Sequence, residues 1–179
     1  MKDTDIIKYL KSNIEPIPDD IYGDRYRVAA YLKDGTYLPC VVFQSKRKQV
    51  NLALKRFDAT RKQSDQYRMV VESFVADCSN VASHDIFRVE SSPFAIPLNI
   101  IKKISGETSM GWTEFVVEMY DGKRFPYGTA FLVEFFELPD GYRIKDIKEI
   151  HCDIDPSESK ETRHYFREKP FFTCYVDGI

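Results

Sequence analysis

The spacing of apolar positions changes along this chain, and each change predicts an element. In TDIIKYLKSN (4–13), Ile6, Ile7 and Leu10 share one helical face behind Thr4 or Asp3 as N-cap, and Pro16 and Pro18 end the helix. From Arg25 to Phe43 the apolar residues alternate in part, with β-branched and aromatic residues on both sides of Asp34-Gly35. That dipeptide suits the positive φ angles of a type I′ turn, so the segment reads as a hairpin. Val50, Ala53, Leu54 and Phe57 recur at i, i+3, i+4 and i+7, the stripe of an amphipathic helix over about residues 47–61.

Two Val- and Phe-rich runs follow, YRMVVESFVAD and HDIFRVESS, and both read as strands. PLNIIKKISGE fits one helical turn before Gly106. Trp112 to Tyr120, Lys123 to Leu138 and Tyr142 to Cys152, joined by Asp121-Gly122 and Pro139-Asp140-Gly141, predict a meander. RHYFREKPFFTCYV supplies one or two closing strands, with Pro170 at an edge or a break.

A frame recurs in this pattern. VAAYLKDGTYLPC and FVVEMYDGKRFPY share D-G-x-x-apolar-P at an offset of 87 residues. Proline offers no ladder donor, so the return strand of each hairpin is expected to be an edge, bulged or bent at Pro39 and Pro126. Few identities lie outside the frame, which favours convergence on one turn solution over duplication, and makes the frame architecture rather than a site.

The expected class is α+β: a mostly antiparallel sheet built from Asp-Gly hairpins, with two or three helices. At 179 residues it is one domain (1–179), with an alternative division into two β-rich lobes, 1–80 and 86–179, meeting near 79–85. Hydrophobic residues at 43% exclude a disordered chain. The N-terminus lacks a signal-like apolar run, and no 18-residue apolar span occurs, so a cytoplasmic protein without a membrane partner is expected. Cys40, Cys78, Cys152 and Cys174 are widely spaced, which suits reduced thiols and no metal site.

Charge is distributed unevenly. Residues 46–62 carry seven basic side chains, Lys46, Arg47, Lys48, Lys55, Arg56, Arg61 and Lys62, against Asp58, while the whole chain has a net charge of −2. Lys48, Lys55 and Lys62 recur at spacing seven, near one line on the predicted helix. Such a face suits phosphates or an acidic partner. Gly106 to Gly111 leads into Trp112, and this loop would display Glu107 and Trp112 as an anchor pair.

Catalysis has no visible carrier. Pro139-Asp140 and Asp146-x-Lys148 formally match a metal-dependent nuclease pattern, but the five residues between the carboxylates cannot end one strand and begin its neighbour. Asp140 reads as a turn residue, and Asp146 and Lys148 as the solvated side of a segment with Ile144, Ile147 and Ile150 inward. His151, Cys152, His164 and Cys174 have no zinc-like spacing, and no phosphate-binding glycine loop occurs. The expectation is a non-enzymatic interaction or regulatory module without cofactor, whose partner is another protein. Nucleic-acid binding through the basic helix is the alternative, and an enzyme with a dispersed site the third reading.

Overall fold

The computed structural model describes residues 1–20, 23–48, 51, 80–104, 113–129, 135–152, 166–167, 169 and 171–179. The class is α+β, with two four-stranded, mostly antiparallel sheets. The chain divides into a unit of residues 1–93 with 171–179 and a second unit of residues 94–170. The described part of the 79–85 segment, where a lobe boundary was expected, lies in the first unit.

In that unit, helix α1 (Asp3–Asn13) begins with Lys2 as N-cap and no side-chain capping bond, so neither Thr4 nor Asp3 caps it. Asp3 and Asp5 stand instead in the first turn, where carboxylates favour the positive end of the helix dipole. Strands β1 (Tyr26–Leu32) and β2 (Tyr37–Ser45) form the predicted hairpin. Strand β3 (Ile86–Ser91) pairs antiparallel with β1, and β8 (Phe172–Val176) pairs parallel with β2, giving the order β3-β1-β2-β8. The last strand therefore belongs to the first sheet, a pairing between distant segments that local periodicity does not record.

Ile6 and Leu10 of α1 pack on Val28, Ala30, Val41, Phe43, Cys174 and Val176. Each large aliphatic side chain buried there contributes about 1.5–3 kcal/mol. Ala29 and Val42, which alternate to the other face, are also fully buried. Burial on both faces accounts for the continuous apolar runs VAAYL and CVVF.

The second unit holds a short helix α2 (Leu98–Ile101) and strands β4 (Thr113–Met119), β5 (Arg124–Thr129), β6 (Ile147–His151) and β7 (Phe166–Arg167). Their order is β6-β4-β5-β7, not a meander: β6 crosses back to pair with β4, and β5 takes β7 in parallel on its other side. Phe115 stacks on Tyr127 with centroids 5.4 Å apart, and Phe136 meets both rings edge-on. The Tyr127 hydroxyl donates to the Glu137 carbonyl at 3.0 Å, which satisfies a buried polar group, and burial pushes its pKa far up.

The recurring Asp-Gly frame builds the same turn twice, but not a type I′ turn. Gly35 and Gly122 have φ of +90° and +84°, while no other described residue type has positive φ. The Gly35 N–H donates to the Leu32 carbonyl and the Leu32 N–H to the Thr36 carbonyl; Gly122, Met119 and Lys123 repeat this arrangement. This is a three-residue loop, a type I turn followed by a left-handed glycine. Asp34 Oδ1 accepts from the Thr36 N–H at 2.9 Å, and Asp121 Oδ1 from the Lys123 N–H at 3.0 Å. The aspartate is selected for its side-chain acceptor, not for positive φ.

The likeness extends past the turns. The Lys33 N–H donates to the Asp85 carbonyl at 2.8 Å, and Tyr120, at the equivalent position, donates to the Asp146 carbonyl at 3.0 Å. Each aspartate ends a 3₁₀ turn, Ser83–Asp85 or Ile144–Asp146, that leads directly into the outer antiparallel strand. A β-bulge follows in both units, between Tyr31 and Leu32 and between Glu118 and Met119. The frame thus occupies the same topological setting in both units.

The prolines are accommodated differently. Register shifts between Val28↔Val41 and Ala30↔Leu38, so β2 bulges at Pro39-Cys40 as expected. Strand β5 is neither an edge nor bulged: Val116 faces Pro126 in an unbroken ladder. Because the turn places Met119 and Lys123 in a hydrogen-bonded pair, alternation makes Val116 and Pro126 a non-hydrogen-bonded one. The proline nitrogen then points away from β4, and described β7 pairing starts only at Tyr127.

Candidate interaction surface

In the first unit Val28 and Ala30 point into the core, so alternation turns Tyr31 outward. Tyr37, directly opposite on β2, follows it. The bulge in β3 leaves Phe87 and Arg88 both exposed between the buried Ile86 and Val89. The Tyr31 and Tyr37 rings lie 4.7 Å apart at 41°, and the Arg88 guanidinium carbon sits 4.2 Å from the Tyr31 centroid. Arg88 Nη2 is 3.1 Å from Glu90 Oε2, and the Tyr31 hydroxyl donates to Glu90 Oε1 at 3.1 Å. The cluster is ordered across three strands yet open to solvent: Tyr37 is 41% exposed and Phe87 65%. Partial burial, with the Glu90 carboxylate nearby, raises the Tyr37 phenol pKa and keeps it neutral.

The corresponding place in the second unit carries charges. Glu118 receives Lys148 Nζ on Oε1 and His151 Nε2, 2.9 Å away, on Oε2. Lys148 first, and His151 second, hold the Glu118 carboxyl below its usual range, and Glu118 raises the Lys148 pKa. With both oxygens engaged, Glu118 joins β4 to β6 and is not a poised base. At the hairpin tip the Tyr142 hydroxyl donates to Asp121 Oδ2 at 2.6 Å, the main reason that the Asp121 pKa is lowered. Tyr120 beside it is 73% exposed.

Of the residues singled out by charge, Lys46, Arg47 and Lys48 are exposed on a helical turn after Ser45, whose hydroxyl accepts the Lys48 N–H at 3.4 Å. With Asn51 and Asp177 they line an open recess. Lys55, Arg56, Lys62, Glu107 and Trp112 lie outside the described residues, as does His164.

No family model, curated protein or solved structure matches the chain. Function therefore has to be argued from side chains. Among the described residues no group of three His, Cys, Asp or Glu side chains is placed to hold a metal ion, and no helix is long and apolar enough to cross a membrane. Asp146, partly exposed as expected, also accepts the Arg143 N–H at 2.7 Å and closes the 3₁₀ turn. Ile147 and Ile150 do face the core.

Charge counting passed over Tyr31, Tyr37, Phe87, Arg88 and Glu90, because they come from three strands up to 59 residues apart. One signal was present in the sequence. In HDIFRVE the run I-F-R-V breaks strict alternation, as a bulge with adjacent exposed residues requires.

Proposed function

We propose that this chain is a non-enzymatic module that binds another protein, and that the outer face around β3 is its contact surface. One observation carries the reading: Arg88 lies over Tyr31, fixed by Glu90, with Tyr37 and Phe87 exposed beside it. Tyrosine and arginine concentrate interface energy because they combine large apolar area with directional polar groups. Their order before binding lowers the entropic cost of association. The test is affinity capture of the full chain from a cell extract, with Phe87→Ser and Tyr37→Ser as controls. A stoichiometric protein lost with either substitution supports the reading, and a partner indifferent to both overturns it.

Nucleic-acid binding is the second reading, favoured by the exposed Lys46, Arg47 and Lys48 around one recess. Asp177 in the same recess opposes a polyanion. A steep fall of affinity with salt, abolished by Lys46→Glu with Lys48→Glu, would place the function there instead.

A further inference from the structure

Among the described residues β3 is the outermost strand of its sheet. Leu32 exchanges hydrogen bonds across the turn toward β2, so alternation turns the backbone of Tyr31 toward β3, where it faces Arg88. Arg88 is accordingly used within the sheet, and the N–H and C=O groups of Val89 and Ser91 point to the open side. The strand has no lysine or proline of the kind that blocks edge-to-edge pairing; the Met1 ammonium, which donates to the Ile86 carbonyl at 2.8 Å, and the bulge at Phe87-Arg88 both lie at its start, before Val89.

We infer that β3 pairs antiparallel with β3 of a second copy of this chain, about a two-fold axis through Val89. The inference goes beyond the proposed contact surface: it uses the outer backbone edge of the strand that carries it, not the aromatic face. Two requirements together select the register. Backbone polarity requires Val89 to form a hydrogen-bonded pair with an outward-pointing residue, Val89 of the partner subunit or Ser91 of the partner subunit, since its own groups point outward. Side-chain charge selects the first: Arg88 then stands opposite Glu90 of the partner subunit, and Glu90 opposite Arg88 of the partner subunit. Moving the axis by one residue puts Arg88 against Arg88 or Glu90 against Glu90, which like-charge repulsion disfavours.

A two-fold interface makes each contact twice, so the strand is complementary to itself without any second surface. Arg88 has five donors in a planar fork and can serve Glu90 in both chains. Pairing joins the two first-unit sheets into one sheet and brings two Tyr31–Arg88 clusters to the same outer face, where the exposed Phe87 flanks the junction.

Sedimentation velocity on the full chain across a concentration series tests this, with circular dichroism to establish that each variant is folded. The parent should dimerise. Arg88→Glu and Glu90→Arg each replace two attractive contacts by two repulsive ones and should weaken dimerisation at least about tenfold. The double variant Arg88→Glu/Glu90→Arg should recover the parent behaviour. An equimolar mixture of the two single variants should form a one-to-one heterodimer, because every crossing pair is again opposite in charge. A chain that stays monomeric to about 100 µM, or a dimer indifferent to the charge changes, overturns the inference. If such a monomer still captures a different protein that Phe87→Ser releases, self-pairing fails while the binding reading stands. If the charge-dependent dimer forms while Phe87→Ser and Tyr37→Ser release no other protein, self-pairing stands and the binding reading fails.

Discussion

The Lys33 N–H reaches the Asp85 carbonyl across 52 residues of sequence at 2.8 Å, and so ties the tip of the first hairpin to the turn that launches β3. Tyr120 and Asp146 make the same tie in the second unit. Because the tie depends on where each turn places its backbone, the turn glycines should matter for stability although they touch nothing.

Gly35→Val and Gly122→Val test that. A Cβ at either position would meet no atom within 4 Å, so the cost is purely conformational. Left-handed backbone costs an L-residue about 1–2 kcal/mol, and more for a β-branched one. Both variants should melt several degrees below the parent, and Gly35→Asn should lose less. Unchanged melting in both would contradict the turn assignment.

Acid should weaken the fold through three carboxylates. Asp34 is held low by the Thr36 N–H, Asp121 by the Tyr142 hydroxyl and Glu118 by Lys148. A depressed native pKa means that the unfolded chain binds the proton more readily. The stabilisation is therefore complete above the ordinary values near about 4 and is lost as pH falls through the lowered ones. Urea midpoints should drop between about pH 5 and pH 3. Asp121→Asn should make that drop shallower, and an equally steep profile would remove Asp121 from the account.

The thiols should differ in reactivity. Burial pushes the Cys174 pKa up to about 12, and Cys40 is buried as well, whereas Cys152 is partly exposed. Thiolate is the attacking species, so alkylation of the native protein near neutral pH should label Cys152 before Cys40 or Cys174. Peptide mapping reads the order. Because the Cys174 pKa is raised, folding keeps this thiol protonated; the associated stability is present below about pH 8.5 and is lost as pH climbs toward the native value.

Aromatic packing should divide the two units. Phe136→Ala opens a hole beside Phe115 and Tyr127 and should cost about 3–5 kcal/mol. Hydrogen exchange should rise in β4, β5 and β6 while β1 and β2 keep their protection, because Phe136 belongs to the second core and Phe43 to the first. Uniform acceleration across all five strands would show that the cores are not separable.

The aromatic cluster illustrates the limits of reading order along a chain. Tyr31 and Tyr37 were visible as hairpin residues, but Arg88 and Glu90 gained meaning only when β3 paired with β1 at the register that puts Arg88 on Tyr31. The basic run drew notice because charge is a local property. Its described members, Lys46 to Lys48, line an open recess with Asp177, which the sequence alone could not place beside them.

By itself the sequence determined whatever depends on neighbours within a few residues. Apolar period set α1, β1, β2, β4 and β5, and each Asp-Gly pair set a tight turn, since a left-handed glycine and a side-chain acceptor two residues before a backbone N–H are short-range demands. Tertiary structure decided the rest: that β6 crosses back to β4, that β8 returns to β2, that the two units repeat one topology, and that β3 is outermost among the described strands of its sheet, with Arg88 and Glu90 on its outer face. Strand pairing joins groups that no covalent geometry keeps close. Its outcome is fixed by which alignment buries both apolar faces and satisfies the backbone, a comparison made only when the whole chain has collapsed.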